Sequence, residues 1–300
     1  MPGLAALGEA KAAMVVKRAP VGMREPMTLT NPMEGQYEDF ARANLRLLLE
    51  GGIEPVVHNS CEGKTLALCG AGPSLASEPI YQADEVWGCN SAAGWLAEHG
   101  HNVTGAVAID QTERMRDDWH RTPDVTHYIA STVHPSLTEH LLEQGKHIRV
   151  FHNYVGWGDD EIDFYNSHPW PASFMMGTGA TVLSRTIGLA AWMGFRRIDV
   201  YGADCSFVDG VAHANGETIE DAFGHTSVMR GDIGGRVYET RPDMLMCAVD
   251  LVRLVAAYPG RVRLMGDTLP VALLGYDDAY LDEVIRRVPP GWMPPTGDDD

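Results

Sequence analysis

The sequence lacks several features that mark familiar functional classes. Its five cysteines include no C-x-x-C pair, which argues against a structural zinc site and indicates a reducing compartment. Positive charge is scarce: the net charge of −18 argues against a broadly basic surface that binds nucleic acid or anionic membranes. Since we find neither a signal peptide nor an apolar run long enough to cross a bilayer, we expect a soluble, cytoplasmic protein without a membrane partner.

Two common nucleotide-binding motifs are incomplete. The dinucleotide fingerprint G-x-G-x-x-G requires a glycine where Leu75 stands. The run Gly63-Lys64-Thr65 matches the end of a P-loop, but it precedes the nearby apolar strand, and His58 occupies the position of the first glycine. The sequence therefore carries neither a full dinucleotide fingerprint nor a P-loop.

A different glycine-rich loop is present. The apolar run Leu66–Cys69 leads into Gly70-Ala71-Gly72-Pro73-Ser74, and we predict a helix after it. The glycines permit a sharp turn and a close approach to a ligand, Pro73 suits a first helical position, and Ser74 is a helix-capping residue type. Because amides at a helix start attract anions, the loop is a candidate phosphate-binding site.

Short apolar runs alternate with stretches that suit helices along most of the chain. This alternation is typical of an α/β fold with a mostly parallel sheet, so we predict a Rossmann-like sheet flanked by helices, with irregular, lid-like insertions. We divide the chain into an N-terminal arm and helix (1–59), a Rossmann-like nucleotide-binding domain (60–288) and a disordered acidic tail (289–300). The predicted strands are 65–69, 85–89, 103–109, 126–130, 148–151, 198–201 and 262–265; the predicted helices are 37–50, 92–99, 136–144, 180–193, 243–258 and 279–288; the insertions are 152–176 and 205–240.

Polar residues follow several predicted strands. Asn90, Asp110 and Asp204 each stand just after a strand, as does the glycine loop. Since ligands of open α/β sheets lie beyond the carboxyl ends of the strands, we expect these groups around one crevice. Each residue alone also fits a helix cap or a turn. Their occurrence together favours a binding site.

Three sequence blocks resemble one family. They are Gly70-Ala-Gly-Pro-Ser-Leu75, then Gly177-Thr-Gly-Ala180 before a long predicted helix, then Arg197-Ile-Asp-Val-Tyr-Gly-Ala-Asp204. Their order is similar to that of the 6-hydroxymethylpterin diphosphokinase (MptE-like) and motility accessory factor superfamily. The segments 204–214 and 228–240 extend the resemblance to about residues 60–266. Bacterial sialyltransferases that use a CMP-sugar are more distantly similar, and shorter similar copies are encoded by phages.

The resemblance implies a nucleotide-dependent transferase without a tightly bound cofactor. We expect glycosyl transfer from a CMP-activated sugar to an acceptor hydroxyl, with His213 as the first candidate base, His225 as the second, and Asp204 as a further catalytic residue. The partners would be the small-molecule nucleotide donor and the acceptor. The implied nucleotide-binding residues are Gly70, Gly72, Pro73, Ser74, Asn90, Asp110, Gly177, Thr178 and Gly179.

Two alternatives remain open at the level of sequence. The first is diphosphate transfer from ATP to a pterin-like alcohol, with Mg²⁺ held by Asp110 and Asp204 and with Asp209 behind them. One of four arginines (Arg114, Arg116, Arg230, Arg236) would then neutralise the phosphates. The second alternative is a non-catalytic nucleotide-binding protein, because a fold alone does not imply a function. In either enzyme, the aromatic segment around Tyr154, Trp157 and Trp170 is a candidate lid.

Overall fold

The strands form where short apolar runs are buried in the centre of the molecule. The computed structural model describes residues 36–156, 160–168, 175–176, 179–224, 226 and 228–286. All five residues of the strand Thr65–Cys69 are buried, as expected for a central parallel strand. The strands are β1 (Glu54–Pro55), β2 (Thr65–Cys69), β3 (Glu85–Cys89), β4 (Gly105–Ala108), β5 (Thr126–Ala130), β6 (Ile148–Asn153), β7 (Met175–Met176), β8 (Arg197–Tyr201), β9 (Met229–Ile233), β10 (Arg236–Thr240) and β11 (Val262–Leu264).

The main sheet is parallel and has a topological switch point. Its strand order is β1-β6-β5-β4-β3-β2-β8-β11, with β7 paired to the end of β6. The chain places strands β3, β4, β5 and β6 in turn on one side of β2. It then crosses to the other side of β2, where β8 and β11 lie. The strand order therefore reverses between β2 and β8, where an open α/β sheet forms its ligand-binding crevice. The predicted α/β, Rossmann-like fold is confirmed.

Helices cover the sheet, and the predicted helices end close to their predicted bounds. The first helix ends at Glu50, before Gly51 and Gly52, as predicted from the two glycines. Its Leu45 and Leu48 belong to the same apolar core as the sheet. The helices are α1 (Tyr37–Glu50), α2 (Ala92–Glu98), α3 (Arg114–Asp118), α4 (Pro135–Glu143), α5 (Glu161–Asn166), α6 (Val182–Trp192), α7 (Ile219–Phe223), α8 (Pro242–Ala257), α9 (Leu269–Leu273) and α10 (Asp278–Arg286).

The two predicted insertions contain regular structure. α5 lies within 152–176, and the segment 205–240 contains α7 and the antiparallel hairpin β9–β10. Gly234 and Gly235 form the hairpin turn with positive φ angles of 64° and 85°, which glycine adopts without strain. Tyr238 anchors the hairpin in a second apolar cluster with Leu245 and Leu269. These segments look irregular in sequence because their polar residues dominate.

Some sequence predictions fall on residues outside the described ranges. These include the arm before residue 36, the acidic tail, Trp157 and Trp170 of the candidate lid, and the candidate site residues Gly177, Thr178 and His225. The domain boundaries also stay a prediction. Among the described helices, none combines the length and the apolar character needed to cross a membrane.

The cysteines are free thiols in the described structure. Cys69 and Cys89 are buried at the ends of β2 and β3, and all five cysteines lack a disulfide partner there. Burial raises the pKa of the Cys89 thiol to about 12, so this thiol stays protonated and unreactive at neutral pH.

A buried histidine makes the fold sensitive to acid. His127 on β5 is fully buried, and Trp119 Nε1–H donates a hydrogen bond of 3.0 Å to its Nδ1. None of the described residues bonds its Nε2. Burial lowers the pKa of His127 from 6.5 to about 4, because a charged imidazole here loses its hydration.

We expect the free energy of unfolding to fall as the pH drops from 6.5 to 4, because the unfolded chain binds a proton that folded His127 rejects. The full effect is about 3 kcal/mol. Urea unfolding across this range should give a flatter pH profile for His127→Gln, which keeps an acceptor for Trp119. Asp204 changes the free energy of unfolding in the opposite direction, since burial raises its pKa. Both proteins contain Asp204, so subtracting one pH profile from the other removes its contribution. Identical profiles would contradict the prediction.

Candidate functional site

The glycine loop after β2 is locked against the loop after β8. Gly70 N–H donates to Tyr201 O at 2.9 Å, and Gly72 N–H donates to Gly202 O at 3.0 Å. A Cβ atom on Gly70 would lie 2.7 Å from Gly202 O, and one on Gly202 would overlap Gly70 O. These glycines therefore allow the two loops to pack backbone against backbone at the switch point.

Asp204 occupies the centre of this packing. Its buried carboxylate accepts hydrogen bonds from Ser74 Oγ–H at 2.8 Å and from Ser74 N–H at 3.2 Å. A Cβ atom on Gly72 would overlap Asp204 Oδ2. Burial raises the pKa of Asp204 to about 6, and the hydrogen bonds from Ser74 oppose that rise. Gly72 is thus required to make room for the Asp204 carboxylate.

The helix predicted after the glycine loop is shorter than expected. Only a single 3₁₀ turn, Pro73–Ala76, follows the loop, with Gly72 at its N-cap. Pro79 explains the early end, because a proline disfavours helical backbone at the residue before it. The expected capping role of Ser74 is wrong: its hydroxyl lies inside the turn and donates to Asp204.

The backbone amides of the glycine loop, which were predicted to bind a phosphate, are partly engaged by the protein itself. The N–H groups of Gly70, Gly72 and Ser74 all bond to protein oxygens, and the Ser74 N–H already faces a carboxylate. The fold thus places its own anion, Asp204, at the helix-like turn that was expected to hold a phosphate. The role of this loop in nucleotide binding stays a prediction.

Helix α6 begins beside the glycine loop. Thr181 and Ser184 form a reciprocal capping box, in which Ser184 N–H donates to Thr181 Oγ1 at 3.1 Å and Thr181 N–H donates to Ser184 Oγ at 3.0 Å. A Cβ atom on Gly70 would lie 2.5 Å from Leu183 in the first turn. The start of α6 and the end of β2 are therefore in direct contact, as the shared crevice requires.

Arg185 fixes a positive charge at this helix start. Its Nε donates to Gly179 O at 2.9 Å, and its Nη1 donates to Tyr154 O at 3.0 Å. Burial lowers the pKa of Arg185. The guanidinium thus links Tyr154, at the start of the candidate lid, to Gly179 just before α6. Sequence reasoning missed Arg185, although its position on the first turns of the helix after a glycine-rich block was a usable signal.

His213 belongs to a side-chain pair docked on the glycine loop. Its Nδ1 lies 2.8 Å from Glu217 Oε2, and since a carboxylate accepts, Nδ1 carries the proton. Arg114 Nη2 lies 3.8 Å from the other oxygen of Glu217. Ala214 N–H donates to Ala71 O at 2.8 Å, which ties this loop to the one after β2. Sequence reasoning missed Glu217, although the His-x-x-x-Glu spacing was visible.

A narrow cleft opens at the carboxyl ends of β2 and β3. His213 lies on its wall together with groups from three other segments. Trp95 lies 9% exposed in this wall and stacks on His99. The residues lining the cleft are Ala71, Leu75, Ser91, Trp95, Arg121, His213, Ala214 and Asn215. The cleft brings the predicted base to the predicted nucleotide loop.

Asn90 and Asp110 follow the neighbouring strands. Asn90 adopts a left-handed backbone with φ of 50°, and its N–H donates to Val107 O. Its side-chain oxygen is buried and has no partner among the described residues. A buried acceptor without a partner is costly, so this oxygen is suited to a ligand donor. Asp110 Oδ1 accepts from Thr112 N–H at 2.9 Å, which is the turn role that the sequence left open.

The other predicted cations and acids are separated from this cleft. Arg230, Arg236 and Asp209 line a groove of about 520 Å³ between residues 206–210 and the β9–β10 hairpin. Arg230 pairs with Glu239 at 2.5 Å, and Arg236 pairs with Asp267. Arg116 is exposed on α3. Arg114, another of the four candidate arginines, contacts Glu217, the partner of His213.

The predicted magnesium ligands Asp110 and Asp204 both accept hydrogen bonds from the protein. Within the described ranges, no three side chains of His, Cys, Asp or Glu gather as a metal site. The Asp204 carboxylate is directed at Ser74, and one oxygen of Asp110 is used by Thr112 N–H. Magnesium is usually held by one or two carboxylates together with substrate phosphates, so the magnesium role of these two residues stays a prediction.

The comparisons with known proteins agree with the sequence blocks. The family model described as 6-hydroxymethylpterin diphosphokinase MptE-like matches residues 41–210. The solved structure of the MAf glycosyltransferase from Magnetospirillum magneticum AMB-1 has a similar fold, with a TM-score of 0.53 and 11% identity. The similarity covers 83% of this chain and 42% of that chain, so this chain spans less than half of that protein. No curated protein matches. Because the family match covers more than half of the sequence and includes the glycine loop, the protein belongs to the MptE-like family.

Proposed function

We propose that the protein is a nucleotide-dependent transferase that moves a sugar from a CMP-activated donor to an acceptor hydroxyl. Family membership and the glycosyltransferase fold neighbour support a transferase in general. The observation that carries the finer proposal is the His213–Glu217 pair, which the Ala214–Ala71 hydrogen bond docks on the glycine loop. In this proposal His213 is the base that glycosyl transfer needs beside the donor.

His213 acts as the general base in this proposal. Glu217 accepts a hydrogen bond from Nδ1–H, which leaves the lone pair of Nε2 free to take the proton of the acceptor hydroxyl. The acceptor oxygen bonds to the anomeric carbon while the bond from that carbon to the CMP phosphate oxygen breaks. CMP leaves with the electron pair, and Glu217 stabilises the imidazolium that forms. Base catalysis of this type contributes about 10²–10⁴-fold.

The donor would lie across the ends of β2, β3 and α6. The glycine loop and the predicted block Gly177–Gly179 would face the nucleotide, and the unpartnered Asn90 oxygen would accept a hydrogen bond from it. Asp204 would act as a positioning residue through Ser74. Arg185 would offset the negative charge of the phosphate near the start of α6.

Diphosphate transfer from ATP is the second candidate. The description of the family favours it, since that description names a diphosphokinase. The reaction would need Mg²⁺ at Asp110 and Asp204, and both carboxylates are already engaged in internal hydrogen bonds. We therefore rank it below sugar transfer.

A thermal-shift screen with CMP, CDP, UDP, ADP and ATP, each with and without Mg²⁺, tests the proposal. We expect CMP alone to stabilise the protein, by about 2.7 kcal/mol at 100 times its dissociation constant. Asn90→Ala should weaken this effect, whereas His213→Ala should keep it. Stabilisation by ATP only with Mg²⁺ would favour diphosphate transfer instead. If no nucleotide shifts the melting temperature, both transferase proposals lose their donor site.

A further inference from the structure

The outer edge of β9 is open in the described structure. β9 and β10 form a separate two-stranded sheet, and the far side of β10 is covered because Phe207 N–H donates to Glu239 O at 2.7 Å. No backbone bond within the described ranges joins β9 to any strand except β10. Residues 230–232 are exposed. Unpaired edge amides and carbonyls readily accept another strand.

This edge lacks two of the features that protect an edge strand from pairing, a proline and a β-bulge. Met229–Ile233 contains no proline, and its pairing with β10 runs in continuous register without a bulge. Apolar side chains flank the edge: Val237 on β10 is 61% exposed, and Val228 just before β9 is 40% exposed. A two-stranded sheet is also marginal by itself and gains stability from additional strands.

The sequence of the edge is complementary to itself. If two copies of β9 pair antiparallel about a twofold axis at Gly231, Arg230 of each copy faces Asp232 of the other, and Met229 faces Ile233. Opposite charges at directly facing positions stabilise a strand pair. A twofold contact of this kind is closed, because each copy offers the same surface. The contact would therefore stop at a dimer.

Gly231 supports this geometry. A Cβ atom there would meet nothing within 4 Å, and its φ angle is not in the left-handed region. Folding of a single chain therefore does not require a glycine at this position. On a twofold axis, two copies of residue 231 face each other directly, where the absence of a side chain permits close approach of the two backbones.

We propose that two copies of this chain associate through β9, so that the two hairpins form one four-stranded antiparallel sheet. Charge complementarity selects a second copy as the occupant of the edge. Met229 and Ile233 already pack against the apolar cluster of Tyr238 and Leu245, and the contact would extend that cluster across the axis. The proposal is independent of the transferase reaction.

Sedimentation velocity of the full chain over about a hundredfold range of concentration tests the dimer. We expect a concentration-dependent dimer. Asp232→Arg sets like charges against each other twice and should raise the dimer dissociation constant by about tenfold or more. Arg230→Asp should do the same, and the double swap Arg230→Asp with Asp232→Arg should restore the dimer to within about threefold.

The controls separate pairing from folding. Arg230 also bonds Glu239, and Asp232 Oδ1 accepts from Gly235 N–H at 2.8 Å, so each single variant is checked by its melting temperature. Asp232→Asn keeps the acceptor for Gly235 and should weaken the dimer by a smaller factor. A swap of the exposed pair Glu38 and Arg42 on α1 should leave the dimer dissociation constant unchanged. Two results would overturn the proposal. One is a monomer at every concentration; the other is that the single variants and the double swap all dimerise as the unsubstituted chain does.

Discussion

Turnover by a His213→Ala variant is expected to fall by about 10²–10⁴-fold, while folding and CMP binding stay unchanged. The imidazole of His213 is 31% exposed, so its removal leaves no large cavity and costs little stability. The loss arises because nothing then accepts the proton of the attacking hydroxyl. The measurement is the rate of CMP release from a CMP-activated nonulosonic acid, together with the melting temperature.

Glu217 and His58 supply the comparisons for this experiment. Glu217→Gln keeps the size of the side chain but removes the charge that stabilises the imidazolium, so we expect an intermediate loss of turnover. His58 is exposed before the amino end of β2, away from the cleft, and His58→Ala should retain full turnover. Full turnover by His213→Ala would remove His213 from the site and leave the base unassigned.

Gly72→Ala is expected to destabilise the protein by about 1–3 kcal/mol and to abolish turnover. The added methyl group would overlap Asp204 Oδ2 and lie 2.7 Å from Gly202 O. Neither neighbour is free to move, because Asp204 is buried under two hydrogen-bonding groups of Ser74. The loops after β2 and β8 would separate, and the proposed donor site beside them would be lost. Urea unfolding and CMP release measure the two effects.

Two further variants test the cause of this loss. Gly188 lies in α6, and a Cβ atom there would meet nothing within 4 Å, so Gly188→Ala should be neutral or stabilise by about 0.5–1 kcal/mol. In an Asp204→Ala background, Gly72→Ala should cost less, because only the overlap with Gly202 O remains. Equal costs in both backgrounds would show that Asp204 is not the reason for the glycine.

Most elements of the fold were predictable from the sequence. The strands 65–69, 85–89 and 126–130 and the helix 37–50 match the structure residue for residue. The insertion 205–240 was harder, because the short helix α7 and the small hairpin β9–β10 carry few apolar residues and only limited periodicity. The hairpin is stabilised by packing against α8 and α9, a contact that the local sequence does not contain.

The candidate site was predicted only in part, because some of its contacts are also not contained in the local sequence. The glycine loop, Asn90 and Asp204 were recognised because each follows a predicted strand, and His213 because of its place in the family block. Glu217 was missed, since an i,i+4 pair in a polar segment is common on ordinary surfaces. Whether a histidine and a glutamate at this spacing share a proton depends on the loop conformation that carries them.

The sequence by itself determined the central strands, the long helices, the parallel character of the sheet and the family. These properties depend on side-chain periodicity and turn residues within a few positions. The tertiary structure alone decided that Ser74 meets Asp204, 130 residues later, and that Ala71 receives the loop of His213. Those contacts exist because the chain reverses its strand order between β2 and β8, and a crossover of that kind joins residues that no local pattern relates.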